Sequence, residues 1–396
     1  MSNIPKGYKQ TEVGVIPEDW EVKKLGKIGE FCKGKGIKKD EVLSDGLPCI
    51  RYGEIYTTYT DYIKTFVSFI SRAVANQSQR IQKGDLLFAG SGETAEEIGK
   101  CVAFVDDEEA YAGGDIVILT PKGVDSLFLG YLMNDTIMVC QKSRVGQGDA
   151  VVHISAKNLG ELLIPLPPTK AEQTAIAAAL SDADALISGL EKLIAKKRNI
   201  KQGAMQKLLT GKKRLQGFSG EWEVKKLGEV CSKITTGKLD ANAMKENGEY
   251  RFYTCAKSFY FIDKYAFDDE ALLISGNGEN VGYVHYYRGK FNAYQRTYVL
   301  TGFNSNIHYL NLYLDRFLEA RITAEVNAGN TPYIKMGTLT DMEIAVPIDI
   351  EEQTAIAQII SDMDAEIEEL EQKLDKYKMI KQGMMQELLT GKTRLI

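Results

Sequence analysis

The sequence lacks the motifs from which most enzyme active sites are built. It has no Walker A loop, no Gly-x-Gly-x-x-Gly unit between a strand and a helix, and no Gly-x-Ser-x-Gly turn. Its three histidines and six cysteines are scattered, and no Cys-x-x-Cys pair occurs. We therefore expect neither catalysis, nor a zinc site, nor a bound cofactor.

Long apolar runs and a strong charge of one sign are missing as well. No run of about 18 apolar residues occurs, and the polar start lacks the apolar core of a signal peptide, so we expect a cytoplasmic protein. The net charge of −5 is an objection to nucleic-acid binding, because a DNA-binding protein needs a basic face. Any such face must come from an uneven distribution of charge.

The chain contains one long stretch twice. Residues 172–215 return as residues 352–395 at a constant offset (352 − 172 = 180), and about three positions in five are identical. Apolar residues in both copies recur in steps of four and three, which predicts helices of about 40 residues with a coiled-coil seam. A capping box is predicted at the start of each helix, and a left-handed glycine at its end. The boxes are Thr169 with Glu172 and Asp349 with Glu352, and the glycines are Gly211 and Gly391.

A strict heptad pattern requires a partner helix. The two copies can pair with each other within the chain, and a homodimeric zipper is the alternative. Gly203 and Gly383 lie inside the predicted helices, which indicates a kink or the close approach of another backbone.

Charge is uneven along these helices. Nine basic and no acidic residues lie between Lys192 and Arg214, while six acidic residues crowd residues 362–371. Such runs are typical of solvated helix faces, but they would also suit the docking of large partner subunits.

A second repeat shows that the whole chain is a tandem duplication. The lead-in Trp-Glu-Val-Lys-Lys-Leu-Gly begins at Trp20 and again at Trp222, a shift of 202 residues (222 − 20). Each half therefore consists of a lead-in, a variable body and a long helix. We predict a first body in residues 1–168, a first helix in 169–214, a second body in 215–348 and a second helix in 349–396.

We predict that the variable bodies are mixed α/β domains with curled, largely antiparallel sheets. Strands are predicted at Cys101–Val105, Ile116–Thr120, Leu162–Leu166, Gly282–Tyr287, Thr297–Thr301 and Met342–Val346, and short helices at Ser126–Val139 and Asn306–Val326.

Both bodies carry polar, glycine-rich loops at matching places. Lysine, threonine and backbone amides suit phosphate contacts, while glutamine, asparagine and arginine can pair with base edges. Ordinary turn chemistry is the simpler explanation for any single residue, but recurrence in both halves favours DNA binding for the set. The candidates are Lys33, Lys35, Lys38, Lys39, Ser91, Arg144, Gln147 and His153 in the first body, and Thr235, Thr236, Lys238, Asn277, Asn327, Asn330, Thr331 and Tyr333 in the second.

The lead-ins and the doubled helix ending carry a family resemblance. Val-Ile-Pro-Glu-Asp-Trp, Glu-Gln-Thr-Ala-Ile-Ala and Lys-Gln-Gly-x-Met-Gln-x-Leu-Leu-Thr-Gly-Lys-x-Arg-Leu resemble the specificity subunit of type I restriction–modification systems, over nearly the full length. The resemblance implies two target recognition domains, each reading one half of a bipartite double-stranded DNA site. It also implies that two long antiparallel coiled-coil helices separate these domains as a spacer, with pseudo-twofold symmetry.

The resemblance further implies a non-catalytic subunit. Two methyltransferase subunits that use S-adenosylmethionine would dock on it and modify adenine, and restriction subunits driven by ATP could join them. The alternative is a self-standing coiled-coil scaffold or DNA-binding regulator without a methyltransferase partner. An enzyme of unrecognised chemistry is a third interpretation.

Overall fold

The computed structural model describes residues 4–148, 151–325 and 333–395. The chain packs into two compact units, unit 1 from Met1–Leu190 with Lys373–Ile396, and unit 2 from Glu191–Gln372. Each unit thus combines one variable body with the first part of one long helix and the last part of the other. No helix within the described residues has the length and apolar character of a membrane span.

In the described residues of unit 1, many short strands and five short helices precede the first long helix. Strands β1 to β14 are Tyr8–Thr11, Gly14–Pro17, Glu21–Lys24, Gly29–Lys33, Leu47–Ile50, Ser68–Ile70, Gln79–Ile81, Leu86–Ala89, Ser91–Gly92, Cys101–Ala103, Ala110–Ala112, Ile116–Pro121, Val152–His153 and Leu163–Leu166. Helices α1 to α6 are Tyr52–Thr57, Arg72–Ala75, Ser126–Met133, Thr136–Val145, Ala156–Gly160 and Lys170–Leu208, with 3-10 turns at Leu25–Lys27 and Lys39–Glu41.

The core of unit 1 lies on both faces of one antiparallel sheet, in the order β10-β8-β12-β4. Successive side chains of a strand point to opposite faces. Leu86 and Phe88 accordingly pack with helix α3, while Leu87 and Ala89 pack toward strands β5 and β11 of a second sheet. Burial on both faces explains why Leu86–Ala89 is apolar throughout rather than alternating.

Unit 2 is built around one six-stranded sheet, in the order β16-β21-β19-β20-β17-β18. Strands β15 to β22 are Trp222–Lys226, Cys231–Thr236, Tyr250–Tyr253, Tyr260–Ile262, Phe267–Ser275, Val284–Ala293, Thr297–Phe303 and Glu343–Pro347. Helices α7 to α10 are Leu227–Val230, Ile307–Glu325, Met336–Thr340 and Ile350–Leu388, with a 3-10 turn at Ala241–Ala243. Leu272 and Ile274 pack against helix α8, while Leu273 packs with Tyr253 and Phe291 inside the curl of the sheet.

The mixed α/β class with largely antiparallel sheets is confirmed, and two local predictions need correction. The helix predicted at Ser126–Val139 is two helices, because the Asp135 carboxylate caps a new helix by accepting from the Ile137 amide at 3.0 Å. The strand predicted at Gly282–Tyr287 runs over Val284–Ala293 instead.

Both long helices have 39 residues. In unit 1, Lys381 near the end of α10 lies 2.8 Å from the Asp184 carboxylate of α6 and 2.8 Å from that of Asp61 in the body. Burial would lower the pKa of Lys381, but these carboxylates raise it. In unit 2, Lys201 near the end of α6 lies 2.5 Å from Asp364 of α10. In each unit the late part of one helix therefore lies beside the early part of the other, as antiparallel pairing within one chain requires.

The charged runs of the two helices face each other in unit 2. Besides the Lys201 pair, Lys197 lies 2.6 Å from Glu366, and Arg198 lies 2.5 Å from Glu371. Of the two reasons predicted for Gly203 and Gly383, a kink or the close approach of another backbone, the second is wrong, because outside the helix's own backbone a Cβ at either glycine would meet no described atom within 4 Å.

The predicted capping boxes are half confirmed. Thr169 Oγ1 accepts from the Glu172 amide at 3.2 Å, and Asp349 Oδ1 accepts from the Glu351 amide at 2.8 Å. The glutamate side chains that should complete the boxes, Glu172 and Glu352, pair with arginines instead. The glycines predicted to end the helices do take left-handed conformations, with φ of 68° and 71°.

In each unit, the glutamate near the start of a long helix is buried against an arginine. The Glu172 carboxylate accepts from Nε and Nη2 of Arg394, the latter at 2.8 Å, and Arg394 also holds the pKa of Asp19 below its ordinary value. The Glu352 carboxylate accepts from Nε and Nη2 of Arg214, both at 2.6 Å. Glu172 and Glu352 are 1% and 0% exposed, so the arginines compensate carboxylates that solvent does not reach.

The glutamine after each glutamate secures the neighbouring backbone. Gln173 and Gln353 donate to the carbonyl six residues earlier at 3.1 and 2.8 Å. They also accept from the amides of Asp125 and Asn306, at 2.9 and 2.7 Å, just before helices α3 and α8. The repeated Glu-Gln-Thr motif thus attaches each long helix to its body in the same way in both units.

Replacing Arg394 with alanine should lower the free energy of unfolding by about 3 kcal/mol, because Glu172 would stay buried without its partner. Thermal unfolding followed by circular dichroism measures this as a lower midpoint. Adding Glu172→Gln should restore part of the loss, since an amide is less costly to bury than a carboxylate.

The matched control is Lys24→Ala, which removes an exposed pair with Glu161 and should leave the unfolding midpoint close to that of the wild type. Equal midpoints for the two single variants would contradict the importance of the buried pair.

Candidate functional site

In unit 1, two of the predicted loops meet at one end of the central sheet. The loop after β4 begins at Gly34, whose amide donates to the Ile116 carbonyl at 2.8 Å. The loop after β8 begins at Gly90, whose amide donates to the Asp115 carbonyl at 2.7 Å. Both loops therefore flank the start of strand β12, and Lys33 lies there with its ammonium 3.9 Å from the Asp115 carboxylate.

Unit 2 repeats this arrangement around the start of strand β21. The Gly237 amide donates to the Thr297 carbonyl at 3.2 Å, and the Gly276 amide donates to the Arg296 carbonyl at 2.9 Å. A Cβ at Gly237 would lie 1.9 Å from the Ala293 carbonyl oxygen, and one at Gly276 would lie 2.3 Å from that of Arg296. Only glycine permits this close approach, so the loop backbones are fixed while their other side chains can vary.

The last candidate loop of unit 1 joins the same cluster. Gln147 and His153 exchange two backbone hydrogen bonds of 2.9 and 2.8 Å, and the Ile154 amide donates to the Gly90 carbonyl at 3.0 Å. Ser91 Oγ lies 2.9 Å from His153 Nδ1. The fold thus brings Ser91, Gln147 and His153 together, although they lie far apart in the sequence.

Unit 2 has an equivalent cluster with different side chains. Asn277 and Tyr333 form an antiparallel bridge, and the Ile334 amide donates to the Gly276 carbonyl at 2.8 Å. The Cys255 thiol donates to Asn277 Oδ1 at 3.1 Å. Asn327, Asn330 and Thr331, the other candidates in this loop, lie outside the described residues.

The remaining candidates lie on the same loops or beside them. The Lys35 amide donates to the Ala112 carbonyl at 3.1 Å, and its side chain is exposed. Lys38 and Lys39 are exposed at the 3-10 turn further along this loop, and Arg144 is exposed in the last turn of α4. In unit 2, Thr235 and Thr236 are half-buried at the end of β16, and Lys238 is exposed just beyond them.

One segment of each site was not predicted from the sequence. Gly113-Gly114-Asp115 in unit 1 and Tyr294-Gln295-Arg296 in unit 2 each lead into a central strand. Their middle amides, from Gly114 and Gln295, donate to the first loop at the Gly36 and Leu239 carbonyls, at 3.1 and 2.8 Å. A weak repeat in the sequence could have revealed these segments. Ala112 and Ile118-Leu119 correspond to Ala293 and Val299-Leu300 at an offset of 181 (293 − 112).

Buried side chains of unit 1 hold its loops in place through hydrogen bonds and packing. Lys142 Nζ donates to the Gly99 carbonyl at 2.7 Å, and burial lowers the pKa of this lysine to about 8. The Tyr56 hydroxyl donates to the Ser91 carbonyl at 3.1 Å. Ile37 takes a φ of 60°, which is unusual for a β-branched residue, and its buried side chain packs with Cys49. The first loop is therefore anchored by burial as well as by hydrogen bonds.

The Ser91–His153 pair invites comparison with a nucleophile and its base. In catalytic pairs of this kind a third group commonly orients the imidazole, and among the described residues no carboxylate forms a hydrogen bond or ion pair with His153. In unit 2 the equivalent residues are Asn277 and Tyr333, which cannot perform nucleophilic catalysis as a pair. What recurs is an arrangement of hydrogen-bonding side chains, and this is suited to recognition rather than to covalent chemistry.

Comparison with known proteins identifies the family. The family model described as the type I restriction modification DNA specificity domain matches residues 17–202 and again residues 219–377. The chain belongs to this family. Each match spans a lead-in, a complete set of site loops and part of a long helix, so the two matches correspond to the two halves of the duplication.

Specificity subunits are also found among the individual relatives. The specificity subunit of the type I restriction enzyme EcoDI from Escherichia coli is 39% identical over 170 residues, which are 43% of this chain and 37% of that subunit. The chain thus aligns with about a third of that relative. A putative type I specificity subunit, MjaX from Methanocaldococcus jannaschii, is 28% identical over 98% of this chain and 97% of its own length.

Solved structures share the fold over the whole chain. The S subunit of a type I restriction–modification system from M. genitalium superposes with a TM-score of 0.62 at 17% identity, covering 93% of this chain and 96% of that one. A chain from a structure of complex assembly and conformational transition in the type I R-M system gives 0.60 at 17% identity, covering 96% and 99%. The fold of this chain is that of the S subunits.

Proposed function

We propose that the chain is the DNA-reading subunit of a type I restriction–modification complex. Each unit reads one half of a bipartite double-stranded site through the polar loops at the end of its sheet. Methyltransferase subunits that dock on the chain modify an adenine in each half-site, and restriction subunits can join them. The chain itself carries no catalytic role and needs no cofactor, and we expect it to act in the cytoplasm.

The recurrence of one loop arrangement with two sets of side chains carries this proposal. Lys33 pairs in register with Val117 of β12, and Thr236 pairs with Tyr298 of β21, so Lys33 and Thr236 are equivalent. Ser91 is likewise replaced by Asn277 and His153 by Tyr333. Different polar groups on one fixed backbone are what two readers of different base sequences need.

The exposed lysines of the loops support binding to phosphates, although the net charge of the whole chain is negative. Lys35, Lys38 and Lys39 are exposed in one short loop, and no described carboxylate forms an ion pair with any of them. Lys238 is exposed at the position in unit 2 that corresponds to Lys35. These lysines can contact phosphates without first breaking an ion pair.

The long helices support the roles of spacer and docking platform. Each has 39 residues, or about 58 Å at 1.5 Å per residue. In unit 2, Leu193 and Ile200 of α6 are 38% and 47% exposed at heptad spacing, and in unit 1, Met379 of α10 is 66% exposed. Exposed apolar side chains on long helices suit the docking of helices from partner subunits.

Co-expression with a methyltransferase subunit encoded beside it tests the function. Mapping of methylated adenines should give a split motif with one methylated adenine in each half. A single contiguous motif would contradict two independent readers. No methylation with an active partner would favour the self-standing scaffold or regulator.

Loop variants should separate phosphate contacts from base contacts. Lys35→Ala and Lys238→Ala should weaken binding on all sequences and reduce the slope of log affinity against log salt by about one each. Gln147→Ala and Asn277→Ala should instead relax one base position each, because they remove hydrogen bonds to base edges. Titration of labelled duplexes at several salt concentrations measures both effects, and four variants that bind like the wild type would move the interface elsewhere.

Lengthening both helices should lengthen the gap between the half-sites. One heptad inserted after Leu190 and one after Gln372 keeps the seam in phase and leaves the ion pairs of Asp184 and Glu371 intact. Seven residues add about 10 Å, or about three base pairs of DNA. The mapped motif should keep both half-sites with a longer gap, at some cost in affinity because three base pairs also rotate one half-site around the duplex.

The control for this experiment is a heptad inserted in α6 alone, which should disrupt helix pairing and lower the unfolding midpoint. A folded double insertion that kept full affinity for the original gap would show that the helices do not set the spacing.

A further inference from the structure

One arginine stands in unit 2 where unit 1 has an aspartate. Arg296 directly precedes strand β21, and its carbonyl accepts from the Gly276 amide at 2.9 Å. Asp115 directly precedes strand β12, and its carbonyl accepts from the Gly90 amide at 2.7 Å. The two residues therefore occupy the same place in the fold, at the centre of the loop cluster, but their charges are opposite.

The backbone around Arg296 is held on both sides. The Tyr294 amide donates to the Tyr253 carbonyl at 2.8 Å, and the Gln295 amide donates to the Leu239 carbonyl at 2.8 Å. The Cys255 Sγ, whose hydrogen points to Asn277 Oδ1, lies 3.5 Å from the Arg296 carbonyl oxygen. The arginine side chain is exposed, and it extends from a backbone that these hydrogen bonds hold in place. Less backbone entropy is therefore lost when the side chain binds.

The charges at these two positions are also compensated differently. In unit 1 the Asp115 carboxylate has the Lys33 ammonium 3.9 Å away. In unit 2 no carboxylate of the described residues forms an ion pair with the Arg296 guanidinium. Arg296 is thus an exposed, uncompensated cation beside Asn277, in a chain whose net charge is −5.

Arginine has the geometry to read one particular base. Its planar fork holds two parallel donors in a fixed geometry that matches O6 and N7 of guanine in the major groove, whereas a lysine ammonium has no fixed fork. We propose that Arg296 determines specificity in unit 2 by reading a guanine of its half-site. This inference rests on the proposed function, because it requires the loop cluster of unit 2 to face the base edges.

The test uses the full chain in complex with its methyltransferase subunit and compares Arg296→Ala, Arg296→Lys and the wild type. Arg296→Ala should weaken binding to the wild-type site on the order of 10- to 100-fold and make one guanine position of the second half-site degenerate. Arg296→Lys keeps the charge and loses the fork, so it should show the same degeneracy with a smaller loss. The first half-site should not change in either variant.

Arg288→Ala is the matched control, since Arg288 is exposed on the same sheet and pairs in register with Glu270 of β19. It should leave the methylation motif unchanged. Because the Arg296 side chain is exposed, all three variants should keep the unfolding midpoint of the wild type.

The outcomes separate this inference from the function on which it rests. An intact motif in Arg296→Ala, with an equal loss on all sequences and a salt slope lower by about one, would mean a phosphate contact and would overturn the inference alone. A wild-type complex without a split motif would overturn the proposed function and the inference together.

Discussion

The structure depends on a buried ion pair between the start of each long helix and an arginine that comes from the end of the other helix's repeat. Glu352 opens the second long helix and is paired with Arg214, which follows the first one. Glu172 opens the first long helix and is paired with Arg394, which follows the second. A buried carboxylate without its partner is strongly destabilising. In this structure neither repeat completes a unit from its own residues, because each unit takes its buried glutamate from one repeat and the paired arginine from the other.

This arrangement separates residues that maintain the fold from residues that can vary. The repeated Glu-Gln-Thr, the lead-in tryptophan and the helix-ending glycine all make contacts within a unit, so any change there costs stability. The site loops are held mainly by backbone hydrogen bonds and by glycines such as Gly237 and Gly276, where a side chain would clash with a carbonyl. Many of their polar side chains are exposed, such as Lys33, Gln147 and His153, whereas Ser91 is buried. Where Lys33 is replaced by Thr236, or Ser91 by Asn277, the loop backbone is kept and the hydrogen-bonding capacity changes, which under the proposed function lets one fold read two different base sequences.

Local patterns predicted much of this fold, and distant contacts account for what they missed. The heptad period predicted both long helices, because a helix is specified by residues three and four apart, and capping residues and glycines predicted where they end. The capping-box rule failed at Glu172 and Glu352, because arginines 222 and 138 residues away compete for the carboxylates. The loops carrying Lys33, Ser91 and His153 were found as separate polar segments, but their meeting point depends on strand order. The segment ending at Arg296 was not predicted, because its place in the site depends on a hydrogen bond with Gly276, which is distant in the sequence.

The acidic net charge illustrates why a sum over the chain is a poor guide to binding. In unit 2 several carboxylates of α10 are paired with lysines and arginines of α6, as in Lys201–Asp364 and Lys197–Glu366, so these charges are already compensated where they lie. At physiological ionic strength, salt screens interactions between exposed charges beyond about 8 Å. Under the proposed function, a phosphate at the first loop of unit 1 would respond to the charges of that loop, where Lys35, Lys38 and Lys39 outnumber Asp40 and Glu41, rather than to the total of −5. The first loop of unit 2 has fewer lysines, so under the same proposal more of its affinity would come from side chains that also discriminate between bases, and Arg296 is the one that combines charge with a directional fork.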